Sequence, residues 1–333
     1  MRRRTWWLSV PGLLLALAPC SEAVAGWVGD RFFPSTFATV VPPSDDFLRS
    51  GVVVKPTTAA STREVDIPIN YSKRITADWA VNFPELYRIV DPAHASTRSG
   101  FDNFVISTKY QLYTNAEHEF IFTIGGSGSI GGTGSRDVGA NSFSIWTPTV
   151  FMGKGFGDLP ESLAALRSFL VTATVGVSIP TKRSTILPTL TVPTEFFPVT
   201  LPTGLSALTL PNGATALTGG VNPNILQWAF ALEYTLLTTI HPPGEPSSSR
   251  FVTGWVPLVE LVLQTPLDGP LAGRTTGTVN PGLILVDRYF ELGIGASIPI
   301  NSSSGRDVGV YAQLHFFMSQ IFPDTLGKPI FGN

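Results

Sequence analysis

Glu233, Glu260 and Glu291 each sit inside a stretch where polar and apolar residues alternate, and each falls on the polar side. Asp78 and Glu119 share that parity, as do Glu64, Asp66 and Glu117; Lys109 is the clearest base among them, and His315 stands beside Tyr311 and Gln313. Carboxylates gathered on one wall can hydrate an interior, favour cations at a narrowing, or hydrogen-bond the polar part of a solute. Other chemistries lack their parts. No G-x-S-x-G marks a serine nucleophile, and no two of His94, His118, His241 and His315 stand at metal-ligand spacing. Gly126-Ser127-Gly128-Ser129-Ile130-Gly131 fits a dinucleotide fingerprint in letters only, since more Gly, Thr and Ser follow where the motif requires a helix. No cofactor and no metal is expected, and the chain reads as non-enzymatic.

The elements that carry these side chains are strands. From Ser168 to Ile179, Phe169, Val171, Ala173, Val175, Val177 and Ile179 share one face, and smaller or polar residues the other. The same division runs through Ile225–Leu236 and Phe290–Ile300. Weaker versions occupy Glu64–Tyr71, Ile75–Phe83, Phe104–Tyr113, Glu117–Ile124, Phe143–Met152, Phe251–Gln264, Thr278–Val286 and Val308–Phe317. Many approach the 9–11 residues with which a tilted strand crosses a bilayer, longer than the ~5–6 usual in soluble domains.

Composition agrees. Only 14% of the 333 residues are charged, mean hydropathy is +0.22, and the chain holds 32 Gly and 28 Pro. That is apolar yet full of helix breakers. A net charge of -2, with no basic cluster beyond Arg2–Arg4, gives nucleic acid nothing to bind. Arg2–Arg4, the apolar Trp6–Leu17 and the small Ala23-Val24-Ala25 read as a signal peptide cleaved after Ala25. Cleavage there would remove Cys20, the single cysteine, and with it any disulfide or thiolate chemistry.

These features predict an all-β, antiparallel transmembrane β-barrel of the outer membrane of a Gram-negative bacterium. Short connections at Ser72-Lys73, Thr114-Asn115-Ala116 and Asp287-Arg288 alternate with long ones at Pro84–Asp102, Gly125–Ser142, Pro180–Asn224 and Thr265–Gly277, as periplasmic turns alternate with outer loops. Asp158–Leu166 reads as a short helix within a turn. Even strand number demands a twelfth strand beside the eleven, expected in Thr36–Thr57 around Gly51-Val52-Val53-Val54. The expected divisions are residues 1–25 signal peptide, 26–60 an N-terminal segment that supplies a strand or partly plugs the lumen, 61–318 the barrel and 319–333 a tail. RDVG occurs twice, at Arg136–Gly139 and Arg306–Gly309; both copies are expected at the outer rim, with Val138 and Val308 beginning strands. Acidic residues on the polar face would then line the lumen, with Glu233, Glu260 and Glu291 as a constriction and Glu119, Asp78, Lys109 and His315 around it.

Longer blocks carry a resemblance. GFDNFVISTKYQLYTNAEHEFIFTIG, GKGFGDLPESLAALRSFLVTATVGVSIP, GWVPLVELVLQ, VNPGLILV and FELGIGASIPI resemble the outer-membrane transporter family named for the meta-pathway of phenol degradation. The resemblance implies an outer-membrane barrel passing small hydrophobic or aromatic compounds, with membrane lipid, the solute and the outer-membrane assembly machinery as partners. The tail departs from it, because Phe316-Phe317 is followed by a segment ending Phe331-Gly332-Asn333 rather than by the chain terminus. Two other functions share the sequence features: a surface-interaction barrel acting through its outer loops, and a lipid hydrolase with Ser and His on its outer wall.

Overall fold

The computed structural model describes residues 26–57, 62–93, 95–185, 190–192, 205–209, 215–243 and 249–332. The expected signal peptide, His94 and much of the long Pro180–Asn224 connection lie outside the described residues. The wall is a closed antiparallel barrel of twelve strands. They are β1 (Phe47–Val54), β2 (Thr62–Arg74), β3 (Trp79–Pro92), β4 (Val105–Asn115), β5 (Phe120–Ser129), β6 (Ile145–Gly155) and β7 (Phe169–Pro180). Next come β8 (Ile225–Tyr234, resuming as Leu236–Ile240), β9 (Phe251–Pro266), β10 (Thr276–Val286), β11 (Phe290–Pro299) and β12 (Gly309–Phe317). β12 pairs with β1, Val310 opposite Val54 and Phe317 opposite Phe47, and that seam closes the sheet.

Alternation sets the two faces. Val175, Leu232, Trp255, Ile294 and Val310 point outward and are exposed, whereas Thr172, Glu233, Val256, Gly293 and Gln313 point inward and are covered. Pro92, Pro180, Pro266 and Pro299 end four of the six strands that run toward the long loops. A proline has no N–H for the ladder, so pairing stops there.

Several boundaries differ from the sequence reading. Ser72-Lys73 is still strand: β2 pairs with β3 as far as Arg74 opposite Ala80, and the turn lies at residues 75–78. Arg74 extends the strand because Asp46 accepts from both its backbone N–H (2.8 Å) and its Nε (2.7 Å). Pro84–Asp102 is only partly a loop, since β3 continues to Pro92 and Arg98–Phe101 folds back on it. The Asp158–Leu166 helix is a 3-10 segment at Glu161–Leu166. The first RDVG does not begin a strand. Arg136–Val138 is a 3-10 turn whose N–H at Asp137 bonds the Ser135 hydroxyl, Val138 is buried, and β6 starts only at Ile145. The second runs almost directly into β12, with Val308 exposed and Gly309 as the first strand residue.

The lumen is not empty. Residues 26–46 precede β1 and lie inside the barrel, in the half nearer the tight turns. They begin as a small hairpin, Trp27–Val28 against Arg31–Phe32. Trp27, Phe32 and Phe37 then pack with Val256, Ile284 and Phe317 from the wall, while Val28 and Phe33 pack with Ile121 and Leu170. Each buried aromatic contributes about 1.5–3 kcal/mol on transfer from water. Two inward glycines admit the rings: a Cβ at Gly282 would lie 2.2 Å from Phe37, and one at Gly153 2.4 Å from Phe33. The tail after β12 covers the same end, where the carbonyls of Leu326 and Lys328 accept from Lys73 Nζ and that of Gly327 from Arg74.

Candidate functional site: the filled lumen and its cavity

Strand parity brings the sequence-predicted side chains into one lumen, where nearly all of them hold the N-terminal segment. Glu291 on β11 accepts from the Ser35 N–H at 3.1–3.2 Å, and His315 Nδ1 on β12 meets the Ser35 hydroxyl at 2.7 Å. Glu260 on β9 accepts from the N–H groups of Ala38 (3.1 Å) and Thr39 (3.0 Å). Lys109 on β4 donates to the carbonyls of Val41 (2.8 Å) and Pro43 (2.5 Å). Asp78 lies in the β2–β3 turn; its carbonyl accepts from the Ser44 hydroxyl and its carboxylate from Gln111, whose own amide oxygen accepts from the Ser44 N–H. Glu119, in the β4–β5 turn, takes Arg31 Nε at 2.9 Å and the Gly157 N–H at 2.8 Å. It is the one non-glycine with positive φ among the described residues, at 46°, a conformation costing roughly 1–2 kcal/mol that these bonds offset.

The logic of the arrangement is backbone satisfaction. An irregular segment inside a barrel has no ladder to join, and each buried N–H or C=O left unpaired costs about 1–3 kcal/mol. The wall supplies carboxylates where the segment presents N–H groups and an ammonium where it presents carbonyls. Glu260 and Glu291 are therefore acceptors for the segment and do not line an open acidic constriction.

Glu233 is the exception. It is fully buried on β8, and neither carboxylate oxygen has a hydrogen-bond partner among the described residues. The neighbouring strand turns the Thr172 hydroxyl toward it, but Thr172 Oγ1 also lacks a bond of normal geometry. Since it holds nothing in place, Glu233→Leu is expected to leave the barrel as stable or raise its stability by up to ~2 kcal/mol. The temperature of the gel-mobility shift between folded and unfolded barrel measures this, and a fall of several degrees would contradict it.

Beside the segment runs a cavity of about 340 Å³. It reaches from Phe47, Phe317 and Asp45 near the tight-turn end to Ser127, Gln227 and Gln264 toward the loops. Glu233, Glu260 and Glu291 do not line it. The charged residues that do are Arg49, Lys109 and Asp45, with His315 adjoining. Asp45 stands just outside the strands, and burial raises its carboxyl to about 7 against the pull of Arg74. Arg49 was missed from the sequence. Its signal was present, because Phe47, Arg49, Gly51 and Val53 share the lumen face of β1, but that strand is the least regular in its alternation.

At the loop end the remaining lumen charges pair with one another. Arg88 Nε lies 2.8 Å from Glu64 and 3.1 Å from Asp66, and Lys55 bridges the same two carboxylates. His118 sits in the β4–β5 turn against Asp158, 3.0 Å away. Among the described residues no three His, Cys, Asp or Glu side chains converge as a metal site would require.

No protein-family model matches the sequence, and no curated protein matches it. Solved outer-membrane barrels are similar in shape. An outer-membrane channel from Pseudomonas putida F1 aligns over 86% of this chain and 99% of its own, with 10% identity and a TM-score of 0.44. The NanC porin aligns over 82% and 98%, with 6% identity and a TM-score of 0.41. OmpF of Salmonella typhi, solved with daunomycin, aligns over 82% and 96%, with 9% identity and a TM-score of 0.33. At these values the likeness is to outer-membrane barrels as a class and carries no argument about a lumen or a cargo.

Proposed function

We propose that this chain is an outer-membrane barrel of a Gram-negative bacterium for the diffusion or uptake of a small solute, and that residues 26–46 restrict its passage. The tight turns face the periplasm and the long loops the exterior, the signal peptide exports the chain, and the assembly machinery inserts it. The observation that carries the reading is the cavity of about 340 Å³ beside the lumenal segment. That volume matches a small-molecule site and is far from an open, water-filled pore. Phe33, Phe47 and Phe151 on its lining support a solute with an apolar body, and the family resemblance of the sequence supports a hydrophobic or aromatic one.

Uptake into liposomes carrying the purified full-length mature protein tests the proposal. Aromatic acids and short fatty acids are expected to enter faster than into protein-free vesicles, and oligosaccharides too large for the cavity are expected to be excluded. Equal entry with and without protein for every solute would defeat it.

A further inference from the structure

The three basic side chains on the cavity wall lie close together. His315 on β12 pairs directly with Arg49 on β1, and Arg49 with Asn70 on β2, so the three form one inward row across adjacent strands, all lining the cavity. Lys109 approaches from β4, near enough to Arg49 for the two charges to repel. Yet among the described residues neither cation makes an ion pair. Arg49 donates through Nη1 to the Thr36 carbonyl at 3.1 Å, and Lys109 donates only to carbonyls. The acids nearest Arg49 are Glu260 and Glu291, each bonded to backbone N–H groups of the segment between them and the cavity. Asp45 is the sole lining carboxylate, and burial raises it to about 7. Among the described residues His315 Nε2 has no partner; in the tautomer whose Nδ1 accepts from the Ser35 hydroxyl, Nε2 carries the proton and is a further donor. Two like charges held together in a buried space, with donors to spare and only Asp45, beside Lys109, as a carboxylate on the same lining, are the makings of an anion site.

We propose that Arg49 and Lys109 form a carboxylate-binding site in the lumen, selecting small organic anions whose apolar body lies along Phe33, Phe47 and Phe151. A planar guanidinium matches a carboxylate in two-point geometry, and the ammonium supplies a second charge. The acids that looked like the lumen's selective feature are turned into the segment, so the bore shows its solute a basic surface. This deepens the transport reading for the solute's identity, but binding does not depend on translocation.

The test is a titration of the full-length mature protein in detergent with benzoate and with benzamide, its neutral counterpart, followed by calorimetry. Benzoate is expected to bind saturably and benzamide at least tenfold more weakly. R49Q and K109Q should each weaken benzoate at least tenfold without changing benzamide, and R49K should restore part of the loss. Benzamide binding as tightly as benzoate, or both Gln variants binding like the parent, would overturn the site. Should one variant lose its heat-modifiable gel mobility, the other still decides. The two proposals fail separately: benzoate that binds in detergent but never crosses liposomes removes transport and keeps the site, whereas protein-dependent uptake without preferential binding of benzoate over benzamide in detergent keeps transport and removes the site.

Discussion

Deleting residues 26–45 is expected to raise single-channel conductance in planar bilayers severalfold over that of the full mature chain. The segment carries Phe33, Phe37 and the backbone from Ser35 to Ser44 across the lumen, from Glu119 and Ile121 on one side to Glu260, Glu291 and His315 on the other. Without it the tight-turn half of the bore holds only wall side chains, several of them glycine at the places the rings now occupy. The wall should survive, because its twelve strands pair with one another and not with the segment. Heat-modifiable migration reports that survival before conductance is read. A deletion variant that keeps the barrel and conducts like the parent would mean that ions already pass beside the segment through the cavity.

Glu260→Ala is the point substitution expected to have the largest effect on the segment. It removes the acceptor of the Ala38 and Thr39 N–H groups at 3.0–3.1 Å and leaves both donors without their carboxylate, with Asn280 as the polar side chain paired across from position 260. At about 1–3 kcal/mol for each buried donor left unpaired, the seat loses roughly 2–6 kcal/mol, less whatever water entering the gap restores. Amide exchange of residues 34–44 should quicken by more than tenfold, while exchange in β9 and β10 stays near that of the parent. Glu260→Gln keeps one carbonyl acceptor and should fall between. Unchanged exchange in the alanine variant would show that the aromatic contacts hold the segment without the carboxylate.

The wall was legible because lipid writes a strict rule into sequence. An outward residue must be apolar, so Val175, Leu232 and Ile294 stand out against Thr174, Glu233 and Gly293, and strand parity follows from that contrast alone. Even β1, interrupted nearby by Pro42, Pro43 and Pro56, was placed by the need for an even strand count together with Gly51-Val52-Val53-Val54. Turns were less legible. Ser72-Lys73 read as a tight turn, yet Asp46, 27 residues before Lys73 and 28 before Arg74, binds both and carries pairing onward. The lumen was half legible: parity showed that Glu260, Glu291, Lys109 and His315 face inward, but not what they face. Residues 33–45 follow no period, and their meaning lies in matching single N–H and C=O groups to wall side chains, from Arg49 and Ser72 nearby to Lys109, Glu260 and Glu291 more than 60 residues away. Arg49 shows the cost of that blindness, since a lone base on a weakly alternating strand gives no warning that a second lies across the bore.

The seam has a further consequence, for the order of folding. β1 and β12 are the first and last strands of the wall, so their pairing is the most distant in sequence and carries the largest loop-closure entropy. Residues 26–46 are attached directly to β1, yet they touch β4, β5 and β9 through β12 from within. A seam that zipped before they had settled would leave them to enter as a bulky hairpin through the mouth that the tail also covers. Insertion and closure thus compete in time, and the half-life of the open seam sets how many molecules emerge with their interior occupied.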